Sequence, residues 1–464
     1  ETEVDTTRSY WSMKRALQRI QKVFPPSSVQ QQRAVTTGST PTINFLKGHP
    51  SPKYLPTEDL SHALQMAAKK AKSGEMELSY TANEGPKPFR QALAEFISCE
   101  CKGDEGANNT CRKDGLFVTG GVSHGLDLAC CVFGGGPGKV ILAESPSYFL
   151  AFEIFRFHGL RVIGLPSDAY GIVVDEIEKI IQSLGPGKVS LVYLVPTHSN
   201  PSATTLAQKR REKLVALAAK HGFKILADEV YHMLDWGSAV DESKYKRPGR
   251  MAVLDHLYHT ESSVKEVEEY EVPDGTQGSA TETGHVLGIS SFAKILCPGM
   301  RLGWIEAAPS LISMLSNHPY VLSGGGVAPL QAQVGHELLK SGRQAGHLSM
   351  LQREYYLRSK TLYEAVLKFP HLMIPAGGAE NSQVCGGYFM WVKVVPTSVD
   401  TVSLQKIARE KFKVDFLPGE RCHPEADKKK EYRGHLRLCF AYMEISELAE
   451  GVERLAAAIA HATA

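Results

Sequence analysis

Seven short apolar runs fill the middle of the chain and constrain its fold more than any other feature. "LFVT", "KVILAES", "LRVIGLP", "VSLVYLVP", "KILADEV", "HVLGISSF" and "RLGWIEA" follow one another from residue 116 onward. Most are β-branched and apolar on both faces, the pattern of buried strands in a largely parallel sheet. Segments with helical period, such as "DEIEKIIQSL" and "LAQKRREKLVALAAKHG", separate most of them. Strand–helix alternation predicts an α/β fold, with a large domain over residues 80–330 holding a mainly parallel seven-stranded sheet flanked by helices. Residues 331–464 read differently: a long helix, the strand "GGYFMWVKV", a helix, the strand "HLRLCFAY" and a final helix. They predict a smaller α+β domain, which residues 41–79 around "INFLKGHPSPKYLP" join. Residues 237–284 are polar and rich in Gly, Ser and Thr, and read as a surface insertion.

Charge narrows the function classes. The formal net charge of the 464 residues is +2, which gives no global electrostatic case for nucleic acid or a membrane surface. No apolar run reaches the roughly eighteen residues of a spanning helix. The nine cysteines are scattered, and Cys99-Glu100-Cys101 has the wrong spacing for a metal knuckle. They read as reduced thiols of an intracellular protein, and no metal site is expected. Residues 1–40 form a basic extension, and no acidic residue stands between Asp5 and Glu58. "MKRALQRIQKVF" sets Met13, Leu17, Ile20 and Phe24 on one helical face and Arg15, Arg19 and Lys22 on the other. That is the pattern of an organellar (mitochondrial or plastid) targeting peptide, or of a basic arm on a partner subunit of a cytoplasmic protein.

Chemistry-bearing residues gather at strand ends, where open parallel sheets bind ligands. "FVTGGVSHGLDL" is a strand, two glycines and a helix start, so the N–H groups at Val122 and Ser123 suit an anion. "KILADEVY" ends a strand with Asp228 to Tyr231, and "LVPTHSNPSATTL" ends another with a stretch that holds Asn200. Each has a plain alternative: Asp228 as a helix cap, Asn200 as a turn residue before Pro201. In "SSFAKILCPGMRLGW", Lys294 is the one charge between His285 and Arg301. It either snorkels to the surface or is held as a reactive amine whose pKa falls on desolvation.

"SFAKILCPGMRLGW" resembles the SxxKxxxPGxRxGW signature of the fold-type I, pyridoxal-phosphate-dependent aminotransferases of classes I and II. "SNP", "DEVY" and "LRLCFAY" match further motifs of that family in its order, from about residue 42 to 460. The sequence is most similar to the branch of α-aminoadipate, kynurenine and aromatic aminotransferases. The resemblance implies transfer of an amino group between an L-amino acid and a 2-oxo acid, with pyridoxal 5′-phosphate as cofactor. It also implies a homodimer with shared active sites. Lys294 would then form the Schiff base and shuttle the proton, and Asp228 would keep the pyridine nitrogen protonated. Asn200 and Tyr231 would bond the ring oxygen, and Tyr148 would stack on the ring. Ser291, Arg301 and the backbone of Val122 and Ser123 would hold the phosphate. Tyr80 would reach the phosphate of the neighbouring subunit, or be an ordinary core tyrosine. Arg437 would grip the substrate carboxylate, and Gly48 would close over the substrate or be a plain turn glycine. The same groups serve elimination, cyclisation or carbon–carbon bond formation on this scaffold. One departure stands out: the family's Asn-Pro motif runs on to a glycine, whereas this chain has Ser202-Ala203, expected only to stiffen the turn.

Overall fold

The computed structural model describes residues 41–75, 79–106, 110–240, 245–266, 284–375, 384–395 and 399–463. The basic extension 1–40 and much of the 237–284 segment lie outside them. The strands in chain order are β1 (Ile43–Asn44), β2 (Leu116–Thr119), β3 (Val140–Ser145), β4 (Arg161–Asp168), β5 (Gly171–Ile172), β6 (Val189–Leu194) and β7 (Lys224–Asp228). They continue with β8 (Val286–Ser291), β9 (Gly303–Ala307), β10 (Leu372–Met373), β11 (Phe389–Val394), β12 (Val414–Asp415), β13 (Leu417–Pro418) and β14 (His435–Cys439).

The large sheet runs β2-β9-β8-β7-β6-β3-β4-β5. Its centre is parallel, from β4 through β3, β6 and β7 to β8, and β9 lies antiparallel between β8 and β2. Eight strands are present where seven runs were legible. The extra one is β5, whose two residues fold back on the end of β4, Ser167 opposite Ile172. Two residues cannot display a period.

Alternate residues of the central strands feed two different cores, as a pleated sheet covered on both faces requires. Leu142, Val192, Leu194, Ile225, Ala227 and Val286 face one side. Ile141, Ala143, Leu191, Tyr193, Leu226 and Ile289 face the other. The first side is covered by helix Gln208–His221 and helix Met251–Glu266, whose Met251 and Leu254 are buried there. That second helix corrects the reading of 237–284 as a surface insertion: its buried apolar residues belong to a packed layer.

The second core runs on without a break into the smaller sheet, β10-β11-β14-β13, which is antiparallel throughout. β1 pairs in parallel with β12, Ile43 opposite Val414. The residues that follow β1 are thereby carried to the junction of the two sheets. All nine cysteines are free, and no described helix is long and apolar enough to cross a membrane.

Candidate active site

Three strand ends and one helix start meet at this junction. Asp228 is the last residue of β7 and pairs in register with Ile289 of β8. β8 ends at Ser291, which caps the four-residue helix Phe292–Ile295: its Oγ accepts from the Ala293 N–H at 3.0 Å and donates to the Leu302 carbonyl at 3.1 Å. This pins the helix that carries Lys294 to the strand on either side. Beyond β2, Gly121 adopts φ 97°, a conformation open to glycine, and the helix Val122–Phe133 begins. A side chain at Gly121 would also lie 3.0 Å from the Arg301 guanidinium. Arg301 itself donates to the Gly120 carbonyl at 3.0 Å, so a guanidinium and a helix N-terminus converge on one spot suited to an anion.

Lys294 donates from Nζ to the Gly48 carbonyl at 2.7 Å. Its ammonium lies 5.1 Å from the centre of the Tyr388 ring and 6.0 Å from that of Tyr231. Burial, helped by the nearby Arg437, lowers its pKa to about 8. The reactive-amine alternative is therefore the one the geometry favours over a snorkelling lysine. Asp228 is 3% exposed. The Tyr193 hydroxyl donates to its Oδ2 at 3.1 Å, and Oδ1 is buried with no partner. Burial pushes this carboxyl up to about 7. Tyr148, at the start of helix Phe149–Phe157, is pushed up to about 12 by burial and by Asp228.

Arg437 stands opposite both Trp391 of β11 and Leu417 of β13. Its Nη1 donates to Asn200 Oδ1 at 2.9 Å and its Nη2 to the Leu46 carbonyl at 2.8 Å. The guanidinium lies 4.0 Å over the Phe389 ring, and its Nε is buried without a partner. A side chain at Gly48 would come within 3.1 Å of Phe389 and 3.5 Å of the Arg437 guanidinium. Glycine is needed there for room; its φ is not in the left-handed region. Ala203, by contrast, sits at φ 60°. The missing family glycine leaves strain at this turn as well as stiffness.

One cavity of about 400 Å³ collects Gly48, Val122, Ser123, Tyr148, Asn200, Asp228, Tyr231, Ser291, Lys294, Arg301 and Arg437. Tyr80 is the exception among the predicted residues: it is 82% exposed and lines no part of this cavity. The core alternative for Tyr80 fails. Sequence reasoning missed Tyr193, Tyr388, Phe389 and Arg421. Tyr193 had a signal, since a phenol inside a fully buried strand needs a partner for its hydroxyl. A larger cavity of about 570 Å³ lies near His198 and Tyr245 and holds none of the predicted residues.

The donor set fits a planar, phosphorylated heterocycle with a protonated ring nitrogen. The unpartnered Asp228 Oδ1 is an acceptor awaiting an N–H, and Arg301 with the Val122 helix start supplies the phosphate end. Lys294 stands within the same cavity.

The family model described as "Aminotransferase class I and II" matches residues 51–455. Among curated relatives, aromatic-amino-acid aminotransferase 1 of Thermococcus litoralis is 27% identical over 421 residues, covering 90% of this chain and 88% of the relative. The 2-aminoadipate transaminase of Thermus thermophilus is 26% identical, covering 90% of each. The solved structure of Pyrococcus horikoshii kynurenine aminotransferase superposes with a TM-score of 0.73 at 23% identity, covering 100% of this chain and 96% of that one. At that identity the likeness speaks for the fold.

Proposed function

The chain belongs to the class I and II aminotransferase family, and on that premise we propose that it moves an amino group between an L-amino acid and a 2-oxo acid with pyridoxal 5′-phosphate. The observation that carries this reading is the meeting of Lys294, the half-satisfied Asp228 and Arg437 in one cavity. When bound, the cofactor supplies a carbonyl for the amine of Lys294 or of the substrate, and a ring that withdraws electrons from the substrate α-carbon. The chain's residues do the rest. A lysine with a pKa of about 8 exists in part as free base near neutral pH, so it can attack a carbonyl and later carry a proton to and from the α-carbon. Asp228 holds the ring nitrogen in its protonated form, and Tyr193 fixes the carboxylate from behind. Arg301 and the N–H groups of Val122 and Ser123 take the phosphate, with Ser291 beside them. Tyr148 covers the ring, and Asn200 and Tyr231 serve its oxygen. Arg437 presents its guanidinium to the substrate α-carboxylate, and Gly48 leaves room for it.

In a homodimer Tyr80 would reach the phosphate held by the neighbouring subunit; its exposure and its place outside this cavity support that reading. A single half-reaction tests the function. The holoenzyme mixed with an amino acid should lose the cofactor's visible absorption band and release one equivalent of 2-oxo acid per site. Release of ammonia with the band restored would mark an elimination and overturn the transfer.

A further inference from the structure

Three metal-ligating side chains meet at the start of β8, the end remote from the active site. Asp255 and His259 stand one turn apart on the helix Met251–Glu266 and so share one of its faces. His285 directly precedes β8, whose last residue, Ser291, lines the catalytic cavity. The six residues of that strand span about 20 Å. One ligand atom from each of the three side chains lies within 4.8 Å of the other two. The cysteine spacing speaks against a metal knuckle, but this cluster uses no cysteine.

Asp255 is 2% exposed, and its two oxygens differ. Oδ2 accepts from the His285 N–H at 2.8 Å and from the Val286 N–H at 3.1 Å. A side chain at Gly284 would come within 2.9 Å of that oxygen, so a glycine lets the chain pass close to the carboxylate. Oδ1 is buried with no hydrogen-bond partner. It lies 3.4 Å from His259 Nε2, which in turn lies 3.2 Å from His285 Nδ1. A hydrogen bond between two neutral imidazoles uses one N–H and leaves Oδ1 without a proton of its own. A tetrahedral zinc ion, with bonds of about 2.0–2.2 Å, holds its nitrogen and oxygen ligands about 3.3–3.5 Å apart. The two measured separations are close to that spacing. Burial and the Lys224 ammonium lower the pKa of His285 to about 4, so its ring is neutral, the form that binds metal. Lys224 itself is held on the Gly284 carbonyl at 2.8 Å. The His259 side chain is 17% exposed, which leaves an ion a way in.

We propose that Asp255 Oδ1, His259 Nε2 and His285 Nδ1 bind one divalent metal ion of the zinc type, with water as the fourth ligand. Two imidazoles and one carboxylate suit zinc and not magnesium, which takes oxygen ligands and keeps its waters. The ion clamps the helix Met251–Glu266 to the first residues of β8. It lies a strand's length from Lys294 and its neighbours, so it stabilises the fold and takes no part in the transfer reaction.

The test compares zinc uptake by the holoenzyme and its variants, because free cysteines also bind zinc. Protein stripped with a chelator is dialysed to equilibrium against micromolar zinc, or against magnesium, and its metal content is measured. The wild type should carry one zinc per chain more than His259→Gln or His285→Gln, each of which should weaken this site at least about tenfold. Magnesium should not be retained. Zinc should raise the Tm of the wild type and not that of either variant, and the half-reaction should run equally with and without zinc. Should His285→Gln fail to fold, His259→Gln, on the partly exposed helix, still decides. Equal zinc content in the wild type and His259→Gln, or a Tm rise that survives in that variant, would overturn the site. A half-reaction that stops when zinc is removed would overturn its structural role.

Discussion

Asp228 and Arg437 are charged groups at two walls of one cavity, buried to the same degree, at 3% and 4% exposed. Their surroundings differ. Arg437 has an amide, a backbone carbonyl and an aromatic face around it. Asp228 has one phenol, the backbone N–H of Val230 and one bare oxygen. A buried carboxylate with so little support carries most of its desolvation cost, which is why its carboxyl is pushed up to about 7. The large-sheet wall is thus incomplete without a cationic partner. The small-sheet wall has both terminal nitrogens of its arginine satisfied, and has to exchange a partner for substrate.

This contrast can be broken by substitution, and the largest effect falls on the lysine between the two walls. Lys294→Ala should lower turnover by at least about 10³-fold, and borohydride treatment followed by mass spectrometry should find no cofactor joined to the chain. Joined cofactor at wild-type stoichiometry would place the reactive amine elsewhere. Asp228→Asn should cost turnover at least about a hundredfold, as losing a charge aimed at the reacting system does.

The same substitution should act oppositely on the cofactor-free protein. A carboxyl whose pKa is raised on folding favours the folded state below its ordinary range near 3.8, and that contribution is lost as pH rises through about 7. Asparagine does not titrate. The cofactor-free variant should therefore match the wild type near pH 4 and exceed it above pH 7, by on the order of 1–4 kcal/mol. Denaturant unfolding at the two pH values reads this directly, and pyridoxal phosphate should reverse the order at the higher one. On the other wall, Arg437→Ala should raise the Michaelis constants of amino and oxo acids alike by about 10- to 150-fold, with the cofactor spectrum unchanged. A shifted spectrum would mean that the two walls are not separable. The smallest effect belongs to the turn beside Asn200. Ala203→Gly should stabilise the protein by roughly 0.5–1 kcal/mol, measured as a rise in Tm. A fall would show that the left-handed turn is held without strain.

What was legible in the sequence follows the same physics. The central strands were readable because burial on both faces leaves little in them but apolar residues. The edge strand β5 was not, being two residues long. Helix Met251–Glu266 was hidden because its apolar residues are few and neighbour a polar stretch. Eleven of the twelve site residues converge, most of them because they stand in motifs at strand ends, where topology alone brings them together; Arg437 comes from the middle of β14. Tyr193 belongs to no motif. Its role depends on which face of a strand it occupies, and only packing decides that.

The Arg437–Leu46 hydrogen bond joins residues 391 positions apart, and β1 finds its partner only in β12. During synthesis at about 5–20 residues per second, roughly 20–80 s separate the emergence of these two parts of the site. For that interval the segment carrying Gly48 has no strand to pair with, so the carbonyl that accepts from Lys294 is not yet held in place. The nascent chain can close its large sheet on the ribosome, but the catalytic cavity is among the last things it makes.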